Sequence, residues 1–197
     1  MAPSLSPSPS LWVALALLLA LDQEGHATIT GYPGQISVDN GGPWGEWGEP
    51  EFCPKGSYAT GFQLKVEPPQ GVFQDDTALN GIRLLCNEKG TVTSSEGLWG
   101  EWLASRGCGR AERLISFRLR VEEPRGLRDD TAANSLDFAC SDGAVLAGAG
   151  GPHGTWGNWS ATCSPTHGIC GLRTRVEAPQ RTRDDTGLND VVFFCCP

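Results

Sequence analysis

Phe62, Leu64 and Val66 alternate with Gln63, Lys65 and Glu67, and the alternation returns at Phe117, Leu119 and Val121 and again along Leu172–Val176. Period 2 places each apolar set on one face of a β-strand. A second alternating set follows each time: Ile82, Leu84, Cys86; Leu136, Phe138, Cys140; Val191, Phe193, Cys195. No stretch of helix length with a 3.6-residue period occurs after residue 27. Pro68-Pro69-Gln70-Gly71 and Pro124-Arg125-Gly126 separate the two clear strands of their units. Two shorter strands are predicted around Ile36–Val38 and Trp47–Phe52, giving about four strands per unit and about twelve in all.

The landmarks recur in order. Tryptophan motifs read Gly42-Pro-Trp44-Gly-Glu-Trp47, Gly97-Leu-Trp99-Gly-Glu-Trp102 and Gly154-Thr-Trp156-Gly-Asn-Trp159. A cysteine follows each, at 53, 108 and 163, and an Asp-Asp-Thr-x-x-Asn run begins at Asp75, Asp129 and Asp184. Three units therefore span approximately 28–90, 91–144 and 145–197. A four-stranded sheet with one apolar face cannot bury that face alone, but three can bury theirs against a common axis. The expected fold is all-β, a prism with pseudo-threefold symmetry, in preference to a propeller, which usually has four or more blades. The motif tryptophans read as core and edge packing rather than as a stacking site.

Leu11–Leu21 is an unbroken apolar run, too short to span a bilayer and the right length for a signal-peptide core, and Gly25-His26-Ala27 supplies small residues for cleavage. Residues 1–27 are expected to be removed, leaving a single domain over 28–197 that is secreted and extracellular, without membrane insertion. Its early segment lacks Lys and Arg, which departs from the usual signal pattern. Losing Asp22 and Glu24 changes the net charge from −8 to −6. That sign disfavours a nucleic-acid partner.

Eight cysteines behind a signal peptide read as a disulfide framework. Repeat equivalence pairs the first cysteine of each unit with its last: Cys53–Cys86, Cys108–Cys140 and Cys163–Cys195. Cys170 and Cys196 occur only in the third unit and pair by elimination. The strand phase supports this, since Cys195 shares the phase of Cys86 and Cys140. Zinc is a poor alternative, for there is no C-x-x-C. No metal or cofactor is expected.

The carboxylate pairs Asp75/Asp76, Asp129/Asp130 and Asp184/Asp185 could serve as glycosidic acid and base, with Glu67, Glu122 and Glu177 contributing to an axial cluster. Repetition in all three units favours turn-building instead, the side chains accepting from nearby backbone N–H groups. Asymmetry between units is the better guide to function. It points to the third, with His153, His167, Cys170 and the sequon Asn158-Trp159-Ser160, where Asn158 stands for an acid in the other motifs and is a candidate glycosylation site.

Over these residues the chain resembles the vitelline membrane outer layer protein 1 family. The matching runs are Gly41–Trp47, Leu64–Gly71, Asp75–Leu84, Asp130–Asn134 and the C-terminal Cys195-Cys196. The resemblance implies a β-prism of three Greek-key four-stranded sheets with four disulfides. It also implies an extracellular coat component, since the avian egg member associates with the glycoprotein ovomucin. Transfer among N-acetyl-chito-oligosaccharides has been linked to the family, but the matched runs bring no catalytic residues. The favoured expectation is a non-enzymatic, secreted protein of a coat or secretion that binds a mucin-like glycoprotein or glycan. The alternative is a chito-oligosaccharide transferase or hydrolase.

Overall fold

The computed structural model describes residues 34–68, 77–122, 133–178 and 187–197. The two alternating sets become six long antiparallel strands: β4 (Ala59–Val66), β5 (Leu79–Cys86), β9 (Leu114–Val121), β10 (Ala133–Cys140), β13 (Gly168–Val176) and β14 (Leu188–Cys196). Short strands fill the segments between them: β1 (Gln35–Ile36), β2 (Glu46–Trp47), β3 (Glu51–Phe52), β6 (Thr91–Thr93), β7 (Glu101–Trp102), β8 (Arg106–Gly107), β11 (Val145–Leu146) and β12 (Thr155–Trp156).

The first sheet runs β6-β5-β4-β7, with β8 also on β4, and the second runs β11-β10-β9-β12. Three strands in succession, with a fourth returning beside the first of them, is the Greek-key order. The third sheet runs β1-β14-β13-β2, with β3 also on β13, so its outer strands come from the beginning of the chain. Register shifts near both ends of each central pair curl the sheets.

Sequence units and sheets do not coincide. The Trp-motif strand of the second unit pairs with the first sheet, that of the third with the second, and that of the first with the third. Local periodicity reports that a segment is extended and which face is apolar. It carries no information about which long strand that segment will join, so a four-strand unit was the natural reading.

The inner faces form one cluster that includes Leu64, Ile82, Leu119, Leu136, Leu172 and Val191. Phe138 lies 4.8 Å from Phe62 and 5.1 Å from Phe193 between ring centroids, so rings from all three sheets meet. The tryptophans are not in this core. Trp44 and Trp99 are 54% and 50% exposed, and Trp156 and Trp159 are 36% and 38% exposed. Of the expected core and edge packing only the edge part is found: the four inward phenylalanines already fill the axis, and Trp47, Trp102 and Trp156 fall on short edge strands.

The disulfides are Cys53–Cys86, Cys108–Cys140, Cys163–Cys195 and Cys170–Cys196. The backbone N–H of Cys53, Cys108 and Cys163 bonds Cys170, Thr60 and Ile115 respectively, on the third, first and second sheets. Each of these sulfurs crosses to the end of a strand in the next sheet. Three disulfides therefore close the three sheet junctions in cyclic order, while Cys170–Cys196 lies within the third sheet. It sits in a satellite cluster on that sheet's outer face with Val192, Phe194, Trp47 and Phe52.

Candidate functional site

The tryptophan motifs are positioned by backbone. Gly42, Gly97 and Gly151 donate to the carbonyls of Asn189, Asn80 and Asn134, each at 2.7 Å. Gly45, Gly100 and Gly154 follow with φ of 80°, 83° and 78°. A Cβ on these three would run into the backbone of Val176, Val66 and Val121. Glycine is required there for both its conformation and the close approach.

This register moves the third motif. Trp47, Trp102 and Trp156 stand opposite Arg175, Lys65 and Arg120. The third motif is thus Gly151-Pro-His153-Gly-Thr-Trp156, three residues earlier than the sequence suggested. A second Trp-x-x-Trp spacing, at 156 and 159, mimicked the true alignment. His153 takes the place of Trp44 and Trp99, and Thr155 that of Glu46 and Glu101. Asn158 therefore does not replace an acid. Trp159 is an addition, in a segment one residue longer than its counterparts: seven residues from Trp156 to Cys163, against six from Trp47 to Cys53.

Each edge tryptophan is packed by an arginine. Arg173 lies 4.7 Å from the Trp47 ring centroid, Arg83 lies 3.9 Å from that of Trp102, and Arg118 lies 4.5 Å from that of Trp156. In the first sheet the cation comes from the neighbouring strand, Arg83 facing Gln63. Threefold recurrence marks this stacking as scaffold, with cation–π energy of about 0.5–2 kcal/mol each.

The second sheet departs from the other two. Arg118 also lies 5.1 Å from the Trp159 ring centroid, so one guanidinium serves two indoles. It is held by Asp137, directly opposite on β10 and 2% exposed. Asp137 Oδ2 accepts from Nε at 3.0 Å and Nη2 at 2.7 Å, and its Oδ1 accepts from the Gly148 N–H at 2.9 Å. The corresponding residues elsewhere are Arg83 and Val192. Arg120, next along the same face, donates Nε to the Gly154 carbonyl at 3.1 Å. Two partly exposed aromatic faces beside a fixed planar donor form a surface for stacking and hydrogen bonding.

Asp75, Asp76, Asp129, Asp130, Asp184 and Asp185 lie outside the described residues. The remainder of the first such run is scaffold. Glu67 Oε2 accepts from the Thr77 hydroxyl at 2.6 Å and N–H at 3.2 Å, and Asn80 Nδ2 donates to the same hydroxyl at 2.5 Å. Glu122 is buried and Glu177 half-buried. Burial holds the Asp190 carboxyl above its ordinary range, against the Val191 N–H and the charges of Arg175 and Arg173. His153 is exposed, while His167 is half-buried and lines a depression of about 290 Å³ with Gly34, Ile36 and Cys163. No cluster of three or more His, Cys, Asp or Glu side chains suited to a metal occurs among the described residues.

Sequence reasoning missed Arg118, Arg120 and Asp137. Their outward strand phase was legible, but their neighbours depend on the β9–β10 register and on the strand exchange that brings Trp156 alongside.

A family model described as vitelline membrane outer layer protein I matches residues 34–197. A human relative, vitelline membrane outer layer protein 1 homolog, is 49% identical, covering 92% of this chain and 95% of its own. Among solved structures, Calystegia sepium agglutinin superposes with a TM-score of 0.54 at 14% identity, covering 84% of this chain and 97% of its own. A mannose binding jacalin related lectin from Ananas comosus gives 0.52 at 14% identity over 83% and 97%. At that identity the two lectins establish the β-prism fold.

Proposed function

Since the chain belongs to the vitelline membrane outer layer protein I family, we propose that it is a secreted, non-catalytic component of an extracellular coat or secretion that binds glycans of mucin-like glycoproteins. Residues 1–27 act as the export signal and 28–197 as the mature domain, whose four disulfides suit an oxidising compartment. The observation that carries the reading is Arg118, held by buried Asp137 within 4.5 and 5.1 Å of the ring centroids of the partly exposed Trp156 and Trp159. A sugar ring offers an apolar face to stack on indole and hydroxyls to meet a fixed guanidinium. The likeness to lectins of the same fold supports this ligand class.

Asn158 is exposed beside this face. Its sequon partner Ser160 is buried, with its hydroxyl oxygen accepting the Phe117 N–H at 3.1 Å. Glycosylation of Asn158 would therefore precede folding.

The test is binding of the purified protein to immobilised mucin. The double variant Trp156→Ala/Trp159→Ala should weaken binding at least tenfold with unchanged circular dichroism; undiminished binding would exclude this face. Incubation with chito-oligosaccharides should leave their size distribution unaltered, and any change would restore the enzyme alternative.

A further inference from the structure

The three sheets treat one equivalent cation differently. Lys65, Arg120 and Arg175 each stand opposite the edge tryptophan of their sheet. Lys65 Nζ is 3.3 Å from Glu96 and donates to the Gly97 carbonyl. Arg175 faces Asp190 in register, whose carboxyl feels its charge. Arg120 faces Ser135, and among the described residues no carboxylate lies within ion-pair distance of it. Among the described residues its one hydrogen bond uses Nε, and neither terminal nitrogen is engaged.

Arg118 does not change this balance, because buried Asp137 compensates its charge one for one. Among the described residues Arg120 is therefore a guanidinium without a carboxylate partner, 5.9 Å from the Trp156 ring centroid. Arg83 also lacks one on the first sheet, but it spends Nε and Nη1 on Thr93 and Gln63. Arg118 and Arg120 are alternate residues of one strand, about 7 Å apart along it. Both guanidiniums lie over the Trp156 ring, at 4.5 and 5.9 Å from its centroid, so a sugar stacked on this indole is within reach of Arg120. A planar fork with two free N–H groups matches a carboxylate or a sulfate better than a neutral hydroxyl.

Resting on the glycan-binding reading above, we infer that this face selects acidic sugars, with Arg120 as the residue that recognises the anionic group. The charge is a carboxylate, as in a sialic or uronic acid, or a sulfate ester.

The experiment measures affinity for immobilised mucin in three forms: intact, sialidase-treated and desulfated. The wild type should bind the intact form best and weaken with added salt, as an exposed ion pair does. Loss on sialidase treatment assigns a carboxylate, and loss on desulfation a sulfate. Arg120→Gln should bind intact mucin about tenfold more weakly and discriminate little among the three forms, while Arg120→Lys retains part of the preference. Lys65→Gln, at the compensated position of the first sheet, should leave the preference unchanged. The inference is overturned if Arg120→Gln matches the wild type on intact mucin, or if removing both acids leaves affinity unaltered. Should Trp156→Ala abolish binding while Arg120→Gln does not, the glycan platform stands and acid selection alone fails. Failure of the wild type to bind any form overturns both.

Discussion

The backbone N–H of Cys53 bonds Cys170 of the third sheet at 2.7 Å, while its sulfur is bonded to Cys86 at the end of the first. One residue thus belongs to two sheets, and Cys108 and Cys163 repeat the arrangement at the other junctions. The disulfides reinforce the seams where strand exchange already links successive units.

Removing one such seam should be costly. Cys108→Ala/Cys140→Ala opens a loop with a sequence separation of 32 residues. The chain-entropy relation gives about 3–4 kcal/mol of lost stability for a loop of that length. Urea unfolding of the variant should show that loss as a lower midpoint, and a midpoint within error of wild type would show that strand exchange alone closes the prism.

The core should respond sharply where the surface tryptophans do not. Phe138 is fully buried and meets Phe62, Phe117 and Phe193. Phe138→Ala is expected to cost about 3–5 kcal/mol. Trp44→Ala, at a ring 54% exposed, should stay within about 0.5 kcal/mol of wild type. Equal losses in thermal unfolding would return the tryptophans to a core role.

That contrast marks the boundary of what was legible in the sequence. Alternation at Phe62–Val66 and Ile82–Cys86 identified strands and their inward faces because side-chain direction is a local property of the pleat. The threefold landmarks located the long strands and proposed cysteine partners. Invisible were the relations set by pairing: β2, β7 and β12 each leave their own unit, and Asp137 meets Arg118 only through the register of β9 and β10. The false alignment at Trp159 arose because a Trp-x-x-Trp spacing can be matched in sequence at two offsets. Only hydrogen bonds such as Gly151 to Asn134 choose between them.

Asp190 gives the protein a pH response of defined sign. Its folded pKa lies above the ordinary 3.8, chiefly through desolvation. Between the two values the native state binds more protons than the unfolded chain, so this residue's contribution to stability declines as pH rises through that window. Asp190→Asn should remove that declining component, which is read from chemical denaturation at intervals from pH 3 to pH 6. An unchanged slope would mean that Arg175 and Arg173 fully offset the burial.

The Thr77 hydroxyl links two buried or half-buried partners, donating to Glu67 and accepting from Asn80. Thr77 is 3% exposed and Asn80 fully buried, so water cannot readily replace a lost partner. Thr77→Val keeps the shape and deletes the hydroxyl, leaving the Asn80 amide short of an acceptor and the Glu67 carboxylate short of a donor. Each such deficit costs about 1–3 kcal/mol. Thr77→Ser restores the oxygen and should recover most of that loss, since only a methyl group is missing. A double-mutant cycle of Thr77→Val with Glu67→Gln should give a coupling above about 0.5 kcal/mol, as contacting polar groups do. Additive effects would mean that the two side chains act independently, and that Thr77 holds its place in the Asp-Asp-Thr-x-x-Asn run by packing rather than by its hydrogen bonds.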